Sequence, residues 1–188
     1  VTDRPVRLAF CGASGTGKST LVQDILRNFL PNELPMCPTG SREIAKAMGF
    51  DNPYDVDAAG KRAEFQQRLL AAKSLWEADH ESFITDRTHF DNLTYTSIHA
   101  PELASDKVFR AAVLDAMTVY THIVFCPINA FHNLANDPAR VTGAEYHHRY
   151  ETILVDMLLR YMTAAPILWL NTSIQHDRVL QVVKFAWS

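Results

Sequence analysis

The stretch FCGASGTGKSTL, residues 10–21, decides how the rest of the chain is read. Within it, Gly12-Ala13-Ser14-Gly15-Thr16-Gly17-Lys18-Ser19 fits the pattern GxxxxGK[ST], and Thr20 follows. That pattern has mechanical content only between a strand and a helix, and both flanks qualify. VRLAFC (6–11) is a short apolar run stopped by glycine, which predicts a buried strand. Over 18–29, Leu21, Val22, Ile25, Leu26 and Phe29 recur at helical spacing, ending before Pro31. Glycines let such a loop turn its N–H groups toward an anion with no side chain in the way. The helix starting near Lys18 adds the positive end of its dipole, Lys18 reaches β and γ phosphates, and Ser19 offers a hydroxyl to Mg²⁺. Gly12, Ala13, Ser14, Gly15, Thr16, Gly17, Lys18, Ser19 and Thr20 are therefore expected to hold the polyphosphate of ATP or GTP.

The surroundings suit an enzyme-sized unit. A chain of 188 residues hides roughly 70% of its unfolded surface, and 47% hydrophobic with 21% charged residues is ordinary globular usage. One domain over 1–188 is expected. The net charge of −3, with no run of Lys or Arg, disfavours a broad nucleic-acid surface. Cys11, Cys37 and Cys126 are odd in number and form no CxxC pair, so they read as reduced, partly buried thiols in a cytoplasmic protein. No apolar run approaches the length that spans a bilayer, so no membrane partner is expected.

Along the chain, SREIAKAMGF (41–50) predicts a short helix ending at Gly49, and 57–80 a long helix with Phe65, Leu69, Ala72 and Trp76 on one face. SFITD (82–86), HIVFC (122–126) and PILWLN (166–171) read as strands, with helices at about 89–98, 105–119, 142–162 and 174–187. Thr172 and Gln175 form a capping-box pattern before the last of these. Strands alternating with helices imply a parallel sheet covered on both faces, an α/β three-layer fold.

Asp86-Arg87 ends the SFITD strand, where ligands of open parallel sheets collect. A carboxylate there can hold Mg²⁺ through water or accept the proton of an attacking hydroxyl, and Arg87 can clamp an anionic group. The pair also discriminates. Ring ATPases and helicases carry Asp-Glu at this place, whereas this chain has Arg87; the NKxD motif of regulatory GTPases is missing; and Asp57-Ala58-Ala59-Gly60 fits DxxG only as a short chance pattern.

With these residues in view, the chain resembles the P-loop nucleoside and nucleotide kinases, especially the branch of nicotinamide-riboside-kinase-like domains and related phage-encoded kinases. The likeness is carried by GASGTGKST, SREIAKAMG, ITDRTHFDN and NDPAR in that order. It implies ATP-dependent transfer of the γ-phosphoryl group to a small acceptor under a mobile lid, with adenine near Asn171-Thr172. In this branch a carboxylate often precedes an Arg by three residues; here the Arg is Arg42, but Thr39 stands at the carboxylate's position, leaving Asp86 as the candidate base. The lid expected at about 127–148 carries Arg140, whose guanidinium would close over the transferring group, with Arg149 farther on.

Phe90, Asn92 and Tyr95 either line an acceptor pocket or pack a helix onto the sheet. His147-His148 and His132 do not make a metal site, because adjacent helical residues diverge by about 100°. The sequence thus predicts an ATP- and Mg²⁺-dependent phosphotransferase. Lys18, Asp86, Arg87 and Arg140 are catalytic; Arg42, Arg87, Phe90 and Arg149 bind substrate; Ser19 and Asp86 hold metal. The acceptor is a nucleoside or nucleotide. A hydroxymethylated base in phage-type DNA is one alternative, and a P-loop ATPase switch without a phosphorylated substrate is another. A homodimer through long helices is compatible with the sequence.

Overall fold

The computed structural model describes residues 4–28, 34–128, 143–161 and 164–187. In chain order the elements are β1 (Arg7–Cys11), α1 (Lys18–Asn28), α2 (Ser41–Ala47), α3 (Asp55–Ala58), α4 (Arg62–Ala78), β2 (Phe83–Asp86), α5 (His89–His99), α6 (Pro101–Ser105), α7 (Lys107–Met117), β3 (His122–Phe125), α8 (Ala144–Arg160), β4 (Ile167–Trp169) and α9 (Gln175–Trp187). The strands form one parallel sheet in the order β2-β1-β3-β4. Beside β2, the segment around Met36 adds a parallel bridge to Ile84, and the Cys37 N–H donates to the Ile84 carbonyl at 2.9 Å.

Alternation along the strands divides the core. Leu8, Phe10, Ile84 and Val124 face α1 and α9, where they meet Leu21, Val22, Ile25, Val179 and Val182. Ala9, Cys11, Phe83, Ile123 and Phe125 face the other layer, where they meet Phe90, Leu93, Val113, Tyr150 and Leu154 from α5, α7 and α8. Each fully buried Leu, Ile, Val or Phe stabilises the fold by about 1.5–3 kcal/mol relative to exposure. Helices on both faces of a parallel sheet are the three-layer α/β fold that the alternating pattern predicts.

Several boundaries differ from the sequence reading. The helix expected over 57–80 is two: Gly60 adopts φ +66, a left-handed turn that ends α3 before α4 begins. The buried stripe of α4 is Arg62, Phe65, Gln66, Leu70, Lys73 and Glu77, largely polar, so apolar spacing alone set its inward face one position off. Asp106 caps α7 by accepting from the Phe109 N–H at 2.8 Å, which separates α6 from α7. At α9 the Thr172 hydroxyl accepts from the Ile174 N–H at 3.2 Å instead of forming the expected box with Gln175. The capping box lies at α5, between Thr88 and Asp91. All three cysteines are buried and free. No helix among the described residues is long and apolar enough to cross a membrane.

Candidate functional site

The loop after β1 is built around close approach. Gly12 has φ +135, and a Cβ there would collide with the Cys126 carbonyl, so only glycine lets the chain pass β3 at this point. Gly12, Ala13 and Thr16 form the loop's buried side; Ser14, Gly15, Gly17, Lys18, Ser19 and Thr20 line a cavity of about 740 Å³. The Lys18 ammonium donates to the Ala13 carbonyl at 2.6 Å and to the Thr16 hydroxyl at 3.2 Å. Burial, reinforced by the neighbouring Arg87 charge, pushes its pKa from 10.5 down to about 8, against the pull of Asp86 and Asp91. Buried Arg178 of α9 supports the far end of the loop through Nη2 on the Thr16 carbonyl at 2.8 Å.

Across the loop, β2 delivers Asp86. The Ser19 hydroxyl donates to Asp86 Oδ2, while Oδ1 is buried without a hydrogen-bond partner among the described residues. A hydroxyl beside a carboxylate with unmet acceptor capacity is a hard-oxygen set of the kind Mg²⁺ takes when phosphates and water complete its shell.

Arg87, the next residue, has φ +109, an unfavourable region for a side chain that costs on the order of 1–3 kcal/mol. Its N–H donates to the Phe10 carbonyl at 2.8 Å. Its guanidinium turns back over the loop, reaching the Gly12 carbonyl (3.2 Å), Ser14 Oγ (3.2 Å), Asp91 Oδ1 (3.0 Å) and the Tyr150 hydroxyl (3.2 Å). It also lies 5.2 Å from the Tyr95 ring centroid.

The rest of the cavity is an α4/α5 cleft. Arg62, Phe65, Gln66, Leu69 and Lys73 line it from α4, and Asn92, Tyr95 and His99 from α5, both sets at spacings that share one helix face. Tyr54 and Tyr146 complete an aromatic wall, and Arg42 stands on α2 at its edge. Gln66 and Asn92 are 2% and 5% exposed, and their amide oxygens find no partner among the described residues. The Asn92 amide donates to the Gln66 backbone carbonyl at 3.2 Å, which ties the two helices together at this point.

Beneath the cleft lies a buried ionic cluster. Glu77 accepts from Lys73 at 2.7 Å, His89 Nε2 at 2.7 Å and the Tyr120 hydroxyl at 3.2 Å, and Lys73 also donates to the Thr85 hydroxyl beside Asp86. Burial pushes the Glu77 carboxyl up, but His89 and Lys73 hold it below the ordinary range. Burial likewise keeps His89 below its usual value, so its Nε2–H is the donor to Glu77.

The structure sorts the sequence candidates. Lys18, Ser19, Asp86, Arg87 and Arg42 meet in one cavity. Phe90 does not: it is fully buried in the core between α5 and the sheet. Two residues along a helix is a turn of about 200°, so when Asn92 and Tyr95 face the cavity, Phe90 faces away from it. Arg149 is exposed on α8 and is not among the residues lining the cavity. Arg140, His132 and most of the expected lid lie outside the described residues. His147 is buried and His148 exposed, as divergent neighbours on a helix must be. Gln66, Lys73, Glu77, Asp91 and Tyr150 were not anticipated. Only Asp91 left a trace in the sequence, as a carboxylate three residues after a threonine.

A glycine loop, its lysine and a strand-end carboxylate at the same end of a parallel sheet define a P-loop α/β domain. The chain belongs to the AAA_28 family of AAA domains, matching it over residues 7–175. Its fold is similar to that of the NadR protein in complex with NAD and AMP-PNP, at TM-score 0.68 and 14% identity, over 98% of this chain and 50% of that one. It is also similar to deoxyadenosine kinase from M. mycoides, solved with its products dCMP and a flexible dCDP bound, at TM-score 0.66 and 14% identity over 96% of this chain and 97% of the kinase. Thymidylate kinase from Candida albicans follows at TM-score 0.57 and 13% identity, over 98% and 92%. The chain therefore spans about half the length of the NadR chain and nearly all of the deoxyadenosine kinase. No curated protein matches it in sequence.

Proposed function

We propose that the protein transfers the γ-phosphoryl group of ATP to a hydroxyl or phosphate of an acceptor that carries a planar base, a nucleoside or nucleotide. The observation that carries this reading is the continuity of one cavity from the phosphate loop to a cleft walled by Tyr54, Phe65, Tyr95 and Tyr146 and fitted with the Gln66 and Asn92 amides. Rings suit a planar heterocycle by stacking, and amides with unmet capacity suit its polar edge. Three solved proteins of like fold, NadR in complex with NAD and AMP-PNP, deoxyadenosine kinase with dCMP and dCDP, and a thymidylate kinase, agree with this class.

In the proposed reaction the loop amides and Lys18 hold the β and γ phosphates. Lys18 must be charged for this, and phosphate beside it favours the protonated form. Ser19 and Asp86 would hold Mg²⁺, which supplies charge neutralisation of the phosphates when bound. Asp86 also orients the acceptor hydroxyl or takes its proton, Arg42 meets the acceptor at the cavity edge, and Arg140 closes over the transferring group. The contribution of the chain is alignment and charge complementarity, with no covalent intermediate on the protein.

The test is a panel of free nucleosides, nucleoside monophosphates and hydroxymethylated DNA with γ-labelled ATP and Mg²⁺. Label in a nucleoside or monophosphate is the expected result. Label in DNA alone would move the acceptor to a polymer, and ATP hydrolysis indifferent to every acceptor would identify an ATPase switch.

A further inference from the structure

Arg87, Asp91 and Tyr150 form a junction that none of the proposed chemistry uses. Asp91 is fully buried and accepts five hydrogen bonds: Oδ1 from the Gly12 N–H (3.3 Å), Arg87 (3.0 Å) and the Tyr150 hydroxyl (2.6 Å), and Oδ2 from the Thr88 N–H (2.9 Å) and hydroxyl (2.8 Å). A single carboxylate therefore joins the first glycine of the phosphate loop, the start of α5 and the middle of α8. Arg87 adds a second tie to the loop, through the Gly12 carbonyl and Ser14 Oγ, and Ser14 Oγ is shared with the Tyr95 hydroxyl at 3.3 Å. Both backbone polar groups of Gly12 are thus gripped by side chains from other elements.

This arrangement is maintained against two costs. One is the left-handed backbone of Arg87; the other is burial of the Asp91 carboxylate, which is repaid only when its oxygens find partners. A residue that only closed on substrate would need neither. The strained turn sends the guanidinium back over the loop, where Nη1 and Nη2 are engaged by protein groups in place of reaching freely into the α4/α5 cleft.

We infer that Arg87, Asp91 and Tyr150 are positioning residues that fix the first turn of the phosphate loop and bind it to α8, and that Arg87 serves the nucleotide end of the cavity in place of clamping the acceptor. The inference rests on the reading of the loop as a nucleotide site. It predicts that damage to the junction appears as lost nucleotide affinity before any acceptor is present. Arg87→Lys keeps a cation against Asp91 but has no fork to span the Gly12 carbonyl and Ser14 together. Tyr150→Phe keeps the ring, packed 4.7 Å from Tyr95, and removes only the hydroxyl.

The experiment is equilibrium binding of a nonhydrolysable ATP analogue with Mg²⁺ to the full chain and both variants, without acceptor, followed by acceptor KM at saturating ATP. The junction predicts a Kd about tenfold weaker in Arg87→Lys, equivalent to about 1.4 kcal/mol, and several-fold weaker in Tyr150→Phe, with acceptor KM unchanged in both. An unchanged Kd with raised acceptor KM in Arg87→Lys would restore Arg87 as an acceptor clamp and overturn the inference, as would unchanged Kd in both variants. If Arg87→Lys does not fold, Tyr150→Phe alone decides, by the same change or constancy in Kd. Failure of the unmodified chain to bind the analogue would instead remove the nucleotide reading itself.

Discussion

The two ends of the cavity are built in opposite ways. At the phosphate loop the framework is tied down by protein groups: Gly12 by Asp91 and Arg87, the Thr16 carbonyl by Arg178, and Lys18 by the Ala13 carbonyl and Thr16 hydroxyl. In the α4/α5 cleft, the Gln66 and Asn92 oxygens are buried and lack partners among the described residues. A committed network holds a shape in advance of its ligand, which favours transition-state positioning. Unmet polar capacity at a cavity wall instead assigns its hydrogen bonds to whatever occupies the cavity, and so discriminates among occupants. On the proposed reading, one end is organised for a constant group, the polyphosphate, and the other for choosing a variable one. Asp86 sits where the two ends meet, one carboxylate oxygen committed to Ser19 and the other unpartnered among the described residues.

The strongest challenge to this contrast is at that meeting point. Asp86→Asn should lower kcat by about 10²–10⁴, measured by initial rates with the best acceptor; full turnover would exclude Asp86 as both base and metal holder. Next in size is the cluster under the cleft. Glu77→Leu leaves Lys73 buried beside no carboxylate and should cost about 3–5 kcal/mol of stability, read by denaturant unfolding. A loss within about 0.5 kcal/mol, the range of ordinary surface changes, would mean that the cluster does not support the cleft floor.

The cleft itself is probed by Gln66→Leu, which should raise acceptor KM about tenfold while leaving ATP affinity unchanged. Equal losses at both ends would erase the division of labour. The smallest effect concerns Lys18, whose pKa of about 8 in the free protein implies proton uptake when phosphate binds near or above that pH. ATP affinity should therefore weaken several-fold between about pH 7 and 9, and the slope should vanish in Lys18→Met. The stability term has the opposite trend. The folded value lies below the 10.5 of the exposed side chain, so the unfolded chain binds more protons between about 8 and 10.5, and this group's contribution to stability rises with pH across that window.

The same contrast explains what could be read in advance. The phosphate loop is local: its glycines, lysine and serine are consecutive, and their flanking apolar runs announce strand and helix. The parallel sheet followed from strand and helix alternation. The proposed acceptor end is assembled from residues 26 positions apart, Gln66 and Asn92, on two helices. On α4 the inward face carries Gln66, Lys73 and Glu77, so apolar periodicity pointed to Ala72 and Trp76 instead. Phe90 looked like a pocket residue because it neighbours Asp86-Arg87 in sequence, yet helix rotation turns it into the core. Arg87 stood out by its place at a strand end, but its left-handed backbone, which aims it at the loop, has no signature in a non-glycine residue.

The central claim is that one continuous cavity joins a fixed phosphate cradle to a selective base cleft. Calorimetric titration with dinucleoside pentaphosphates, adenosine at one end and each common nucleoside at the other, tests it most directly, because a ligand that fills both ends gains the second interaction intramolecularly. The account predicts that at least one such compound binds at least tenfold tighter than ATP, that affinity depends on the second base, and that Gln66→Leu removes this dependence. Affinities no better than that of ATP, indifferent to the second base and to Gln66, would contradict it.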